Sequence, residues 1–293
     1  MLLLVAGAPG AAAENPPKKN DGPQPVAYAK ARLLCQLANR KINESSGLAC
    51  SRRKDGVFWT HNDSGGGPRI YAFNTKGEDL GTFDVAGAKA QDWEDMASFR
   101  VGRKCYLILA DVGDNAARRK SCTLYIVEEP VLFRKKPVTV RIKVAMTIQF
   151  SYEDGPHNCE SVAVDAKNRM IYLVSKAAGL TCKVYELPIS KGRARGPAIA
   201  RPVATLKVPV TTGMDMSAEG SRCVVLTYLS AYEFTRKPGE TWKDAFSRRP
   251  RTLAMPLRRQ GESISYGADG KTLYLTSEKV PTPLWEIPVQ EAK

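Results

Sequence analysis

Apolar residues along this chain gather into short continuous runs instead of recurring at helical spacing. The clearest are GVFWTHND from Gly56, CYLILADVG from Cys105, MIYLVSK from Met170, CVVLTYL from Cys223 and TLYLTSE from Thr272. Rich in β-branched and aromatic residues, they predict strands buried on both faces. A second pattern follows each run: a small or apolar residue, an aromatic, any residue, then an apolar one. Its copies are Ile70-Tyr71-Ala72-Phe73, Leu124-Tyr125-Ile126-Val127, Val184-Tyr185-Glu186-Leu187, Ala231-Tyr232-Glu233-Phe234 and Leu284-Trp285-Glu286-Ile287. They recur about every 47 to 60 residues, the span of a four-stranded sheet unit. A further strand precedes each run, clearest in Glu160-Ser161-Val162-Ala163-Val164 and Glu262-Ser263-Ile264-Ser265-Tyr266, and turn residues such as Asp269-Gly270 fall between them.

Fourth strands are expected at residues 81–85, 138–150, 200–208 and 251–257, but the last unit ends with the chain and lacks one. The unassigned N-terminal run at residues 29–37 (AKARLLCQL) has the right pattern to supply it. The expected fold is therefore all-β: a five-bladed β-propeller of four-stranded blades, the last closed by an N-terminal strand, which leaves no open sheet edge. Six blades is the alternative, because residues 137–152 are long enough to hold extra strands. Residues 1–24 read as a signal-peptide remnant and loose leader, and 25–293 as one domain.

The start, MLLLVAGAPGAAA, is too short to span a bilayer and ends in small residues, so export to the periplasm, cell envelope or exterior is expected, with no transmembrane segment in the mature chain. Seven cysteines then permit up to three disulfides, a pair among Cys122, Cys159 and Cys182 being placed to brace one face, while Cys50, Cys105 and Cys223 read as buried fillers. None forms a CxxC pair, and two histidines cannot build a His-rich centre, so any metal would be held by oxygen. The excess of 44 Lys+Arg over 30 Asp+Glu, net +14, favours an anionic small molecule or envelope polymer as partner. Specific nucleic-acid binding is not expected, since the clusters Arg118-Arg119-Lys120, Arg134-Lys135-Lys136, Arg193 with Arg195, and Arg248-Arg249-Arg251 lack interleaved aromatics. A monomer is expected.

In such a fold the connections into the first strands meet the second-to-third loops at one mouth of the channel. They carry Asn43-Glu44-Ser45-Ser46, Asp92-Trp93-Glu94-Asp95, His157-Asn158-Cys159-Glu160, Thr211 to Asp215 and Gly261-Glu262-Ser263, joined by His61-Asn62-Asp63 and Asp111-Val112-Gly113-Asp114. Converging carboxylates repel unless a cation compensates them, and calcium accepts six to eight oxygens in flexible geometry. The expected calcium ligands are Glu44 or Ser46, Glu94, Glu160, Asp215 and Glu262. The bland alternative is that each acid caps backbone N–H groups or pairs with a nearby Arg or Lys.

Through NESSGLA, HNDSGGGPRIYAF, DWEDMAS, ADVGDN, ESVAV and GESISY the chain resembles a group of exported, uncharacterised bacterial β-propellers, over nearly everything from Asn43 onward. It is also similar in architecture to the calcium-activated nucleotidases (apyrases), where one Glu or Ser per blade holds calcium in the tunnel. That resemblance implies Ser46 or Glu44, Glu94, Glu160, a polar residue between Gly213 and Ser217, and Glu262 as the ligand set; the fourth position departs from the pattern.

Three functions follow. The leading one is a non-catalytic binding or scaffold protein of the envelope. An apyrase-like, calcium-dependent hydrolase of phosphorylated substrates would use Asp63, Asp111, Asp114, His61 or His157 to assist water. A glycoside hydrolase would draw an acid pair from Asp92, Glu94, Asp95 and Asp111, with Trp93 as sugar platform. No nucleophile, base and orienter set is recognisable, so whether the chain is an enzyme stays open at this level.

Overall fold

The computed structural model describes residues 22–63, 65–132, 137–189 and 197–290; most of the leader, Ser64 and the basic residues Arg134-Lys135-Lys136, Arg193 and Arg195 lie outside them. The apolar runs form strands as their composition requires. After β1 (Arg32–Gln36) come four antiparallel neighbours, β2 (Ser45–Cys50), β3 (Val57–Asn62), β4 (Arg69–Asn74) and β5 (Asp79–Ala86). The same meander repeats in β6 (Trp93–Val101), β7 (Lys104–Asp111), β8 (Cys122–Glu128) and β9 (Thr139–Tyr152). It repeats again in β10 (Cys159–Asp165), β11 (Met170–Ser175), β12 (Cys182–Pro188) and β13 (Ala198–Leu206).

A further array holds β14 (Thr211–Met216), β15 (Arg222–Thr227), β16 (Ser230–Thr235) and β17 (Arg251–Ala254), with a helix, α1 (Trp242–Ser247), inserted before its last strand. The sequence pattern did not announce α1; Thr241 caps it by accepting the Asp244 N–H while the Asp244 carboxylate accepts the Thr241 N–H. The last array is β18 (Ser263–Tyr266), β19 (Leu273–Thr276) and β20 (Pro283–Ile287). Its fourth member is β1, antiparallel to β20 with Arg32 opposite Glu286, so the N-terminal run pairs with the C-terminal strand.

The long run at 137–152 is one strand. β9 pairs with β8 of its own array from Val144 to Phe150 and also lies parallel to two others, its start, Thr139 to Lys143, against β5 and its end, Phe150 to Tyr152, against β13. The first strands pack in succession: β2 on β6, β6 on β10, β10 on β14, β14 on β18, and β18 back on β2.

Continuous apolar runs are explained by this packing, because both faces of an array meet neighbours. Val225 joins Val174, Val184 and Met214 on one side, whereas its neighbours Val224 and Leu226 join Ile264, Leu273 and Leu275 on the other. The interface between the first two arrays holds Trp59, Ile70 and Phe83 with Leu107, Leu109 and Tyr125. All seven cysteines are free, and six are buried, so the expected disulfide among Cys122, Cys159 and Cys182 is not formed. These thiols act as small apolar fillers, and burial pushes Cys159 up to about 12 and Cys122 to about 11. No helix among the described residues is long and apolar enough to cross a membrane.

Candidate functional site

At the beginning of each first strand the backbone repeats one construction. The residue that ends the adjoining second-strand segment donates its N–H to a carbonyl just ahead of the first strand: Asp63 to Glu44 (2.9 Å), Gly113 to Asp92 (3.1 Å), Lys176 to Asn158 (2.9 Å) and Glu278 to Gln260 (3.1 Å). Two residues after each of those acceptors stand Ser46, Glu94, Glu160 and Glu262. The pairing registers align the strands in the same way: Leu48 faces Thr60, Met96 faces Leu109, Val162 faces Leu173, Met214 faces Val225 and Ile264 faces Leu275.

This alignment decides both ambiguous positions. Leu48 matches Val162, so Ser46, not Glu44, occupies the register of Glu160; Glu44 occupies that of Asp92 and is half-buried. In β14 the matching residue is Thr212, whose hydroxyl donates to the Gly261 carbonyl at 3.1 Å. Asp215 lies three residues further along the strand, away from this register. Its carboxylate accepts the Met216 N–H (2.8 Å), the Tyr266 N–H (2.8 Å) and the Ser265 hydroxyl (3.0 Å). Asp215 therefore follows the bland alternative: it ties β14 to β18.

The remaining acids do come together. Ligand oxygens of Asp63, Asp92 and Glu94 all lie within 4.8 Å of one another. Glu94 is only 5% exposed, and no hydrogen-bond donor reaches its carboxylate among the described residues. Burial first, then the charges of Glu160, Asp63, Asp92 and Glu262, push its pKa up to about 10. Burial and Asp63 raise Asp92 as well. Glycine at 113 makes the approach possible, since a Cβ there would fall 2.3 Å from Glu94 Oε1 and 2.4 Å from Asp92 Cγ.

Beside this trio the surroundings change character. Lys176 Nζ donates to Glu160 Oε2 at 2.5 Å and to the Tyr228 hydroxyl at 3.1 Å, and Tyr228 donates to Glu262 Oε1 at 3.1 Å. Burial raises Glu160 although Lys176 opposes it; burial and then Glu278 push Glu262 up to about 8. Lys176, Tyr228 and Glu278 were not among the sequence candidates. The signal was available, because Lys176 and Tyr228 directly follow a second strand as Asp63 does, and Glu278 follows one residue later.

Other candidates are committed elsewhere. Asp111 accepts the Arg119 guanidinium at 2.8 Å and the N–H groups of Gln91 and Asp92. Asp114 accepts the Arg119 N–H at 2.7 Å. His157 pairs with Asp154 at 3.0 Å, where hydrogen bonds from Lys183, His157 and Tyr185 overcome burial and hold Asp154 at about 2. His61 is fully buried, edge-on to Trp93, and burial lowers its pKa. Trp93 is itself core, donating to the Lys89 carbonyl at 2.8 Å, and offers no sugar platform.

Compared with protein-family models and with curated proteins, the chain matches none.

Proposed function

We propose that the chain is a five-bladed β-propeller that binds a hard divalent cation, calcium by its ligand chemistry, at one mouth of the central channel, and that it works as an exported binding module of the bacterial envelope. The cyclic succession of first-strand contacts and the pairing of β1 with β20 support the propeller. The observation that carries the cation is the convergence of Asp63 and Asp92 on the buried Glu94 carboxylate, which no hydrogen-bond donor reaches among the described residues. Oxygens held 2.3–2.6 Å from one calcium are at most about 5 Å apart, which these three satisfy, and a purely oxygen set suits calcium better than zinc. Ser46, Glu160 and Glu262 flank the trio as further oxygen donors.

Binding is favoured over catalysis because Asp111 and Asp114 are engaged by Arg119 and His157 by Asp154, while His61 is fully buried and Asp63 belongs to the acidic trio itself. An apyrase-like hydrolase is the second reading, favoured by Lys176 and Tyr228, which put a cation and a hydroxyl beside Glu160 and Glu262 where a phosphate oxygen would need them. The deciding experiment is thermal unfolding with millimolar calcium and with chelator. Calcium should raise the midpoint by mass action, and Glu94→Gln should abolish that rise while Asp165→Asn, remote and paired with Arg236, keeps it. Identical midpoints with calcium and chelator would remove the proposal; phosphate release from nucleoside diphosphates would establish the second reading.

A further inference from the structure

The register that lines up Ser46, Glu94, Glu160, Thr212 and Glu262 can be followed to the other ends of the same five strands. Six residues on stand Arg52, Arg100, Ala166, Ala218 and Ala268, about 20 Å away at a strand rise of about 3.3 Å per residue. All five line one cavity of about 280 Å³. Three of these equivalent positions are alanines, which leave the space, and the other two are arginines.

The two guanidinium groups are tied to each other's strands. Arg52 Nε donates to the Ser98 carbonyl of β6 at 3.3 Å, and Arg100 Nη2 donates back to the Arg52 carbonyl at the end of β2. No further hydrogen bond and no ion pair engages either guanidinium among the described residues. Both remain accessible, Arg52 being half-buried and Arg100 exposed. Like charges fixed side by side repel unless an anion compensates them.

The carboxylates nearby do not supply that anion. Glu129 accepts the Ser51 hydroxyl and Trp59 Nε1 (3.0 Å) with Oε1, and the Arg52 backbone N–H (3.0 Å) with Oε2. Asp215, whose pKa burial raises against the charge of Arg52, has its oxygens on Met216, Tyr266 and Ser265. Asp55 lines the cavity but is exposed and pairs with neither arginine. Two arginines against one aspartate leave the lining positive.

We propose that this cavity binds a small phosphomonoester, its phosphate held by Arg52 and Arg100 and its body against Phe99, Val164 and Met216. Phosphate is favoured over carboxylate because two guanidinium forks from different strands need oxygens on more than one side of the central atom, whereas one fork fills a planar carboxylate. The cavity is larger than a bare phosphate yet just under about 300 Å³, the lower end for small-molecule pockets. The ligand therefore carries only a few atoms beyond its phosphate. The site does not depend on the cation reading, and each can fail without the other.

The test is calorimetric titration of the full chain with glycerol phosphate at fixed ionic strength, in chelator so that no metal bridges the ligand. Saturable binding is expected, with inorganic phosphate competing and acetate failing to compete. Arg100→Gln, a change at an exposed residue, should weaken binding roughly tenfold or more, as should Arg52→Gln, and Arg100→Lys should recover only part of it. Ala218→Leu, which fills the cavity, should weaken glycerol phosphate more than inorganic phosphate. Arg248→Gln, whose parent side chain pairs with Glu240 elsewhere on the surface, should bind as the unaltered chain does. The absence of saturable binding, an equal loss in Arg248→Gln, or a loss in Lys176→Gln with none in Arg52→Gln and Arg100→Gln overturns the proposal. A calcium-induced rise in melting point that persists in Arg100→Gln would show that the two sites are separate.

Discussion

The Asp95 carboxylate on β6 accepts the backbone N–H of Met214 on β14 at 3.2 Å, 119 residues further along the chain. The same Oδ2 accepts the Val162 N–H of β10 at 2.8 Å, and Oδ1 that of Met96 at 2.8 Å. One side chain thereby satisfies donors from three first strands, with Asp215 doing similar service between β14 and β18. Asp95→Ala should cost about 3 kcal/mol or more in urea unfolding, since it leaves three buried N–H groups without acceptors. Asp95→Asn should cost less, because one oxygen survives.

Gly113→Ala should damage the proposed cation site without removing a ligand. The new Cβ must displace the Glu94 and Asp92 carboxylates, so calcium affinity should fall roughly ten- to a hundredfold by calorimetry while the fold persists.

The raised carboxylates predict a pH dependence. Between about pH 6.5 and 8, Glu262 and Glu94, with pKa values near 8 and 10, hold their protons in the folded state but are ionised when unfolded. The folded state then binds more protons, so stability should decline as pH rises, by up to about 1.4 kcal/mol per pH unit per group. Glu262→Gln should flatten the decline. Calcium should oppose it and release protons on binding, which buffers of different ionisation enthalpy would reveal. Below pH 6.5 the sign reverses for His61: held neutral in the fold, it withdraws stability as the unfolded chain takes up a proton.

Removing residues up to Gln36 should expose the edge of β20 and break the Arg32–Glu286 pair and the Tyr28–Glu233 hydrogen bond. A melting point lower by roughly 10 °C or more, with aggregation in light scattering, is expected. Unchanged melting would mean that β1 closes nothing of consequence.

Much of this architecture is legible in the chain because strand burial and turn chemistry are local. Runs such as CVVLTYL are apolar at consecutive positions because Val224 and Val225 face different neighbouring arrays. Even the non-local pairing of β1 with β20 could be anticipated, since every other array has a fourth strand and the last lacks one. The helix α1 was less visible: six residues show no helical period, and only its capping pair marks it.

For the site, sequence repetition alone singled out Glu94, Glu160 and Glu262, and placed Asp63 and Asp92 nearby. It did not distinguish Ser46 from Glu44 or Thr212 from Asp215, because those choices turn on β-bulges that shift the register at Ser45/Gly47 and at Thr211/Gly213. Whether an acid meets other acids or backbone N–H groups was likewise undecided along the chain. Asp95 and Glu94 are adjacent, yet alternation sends one into a cage of donors and the other into a group of carboxylates. Local composition determined which residues form strands; only tertiary packing decided what each buried charge would face, because that depends on strands brought together from more than a hundred residues apart.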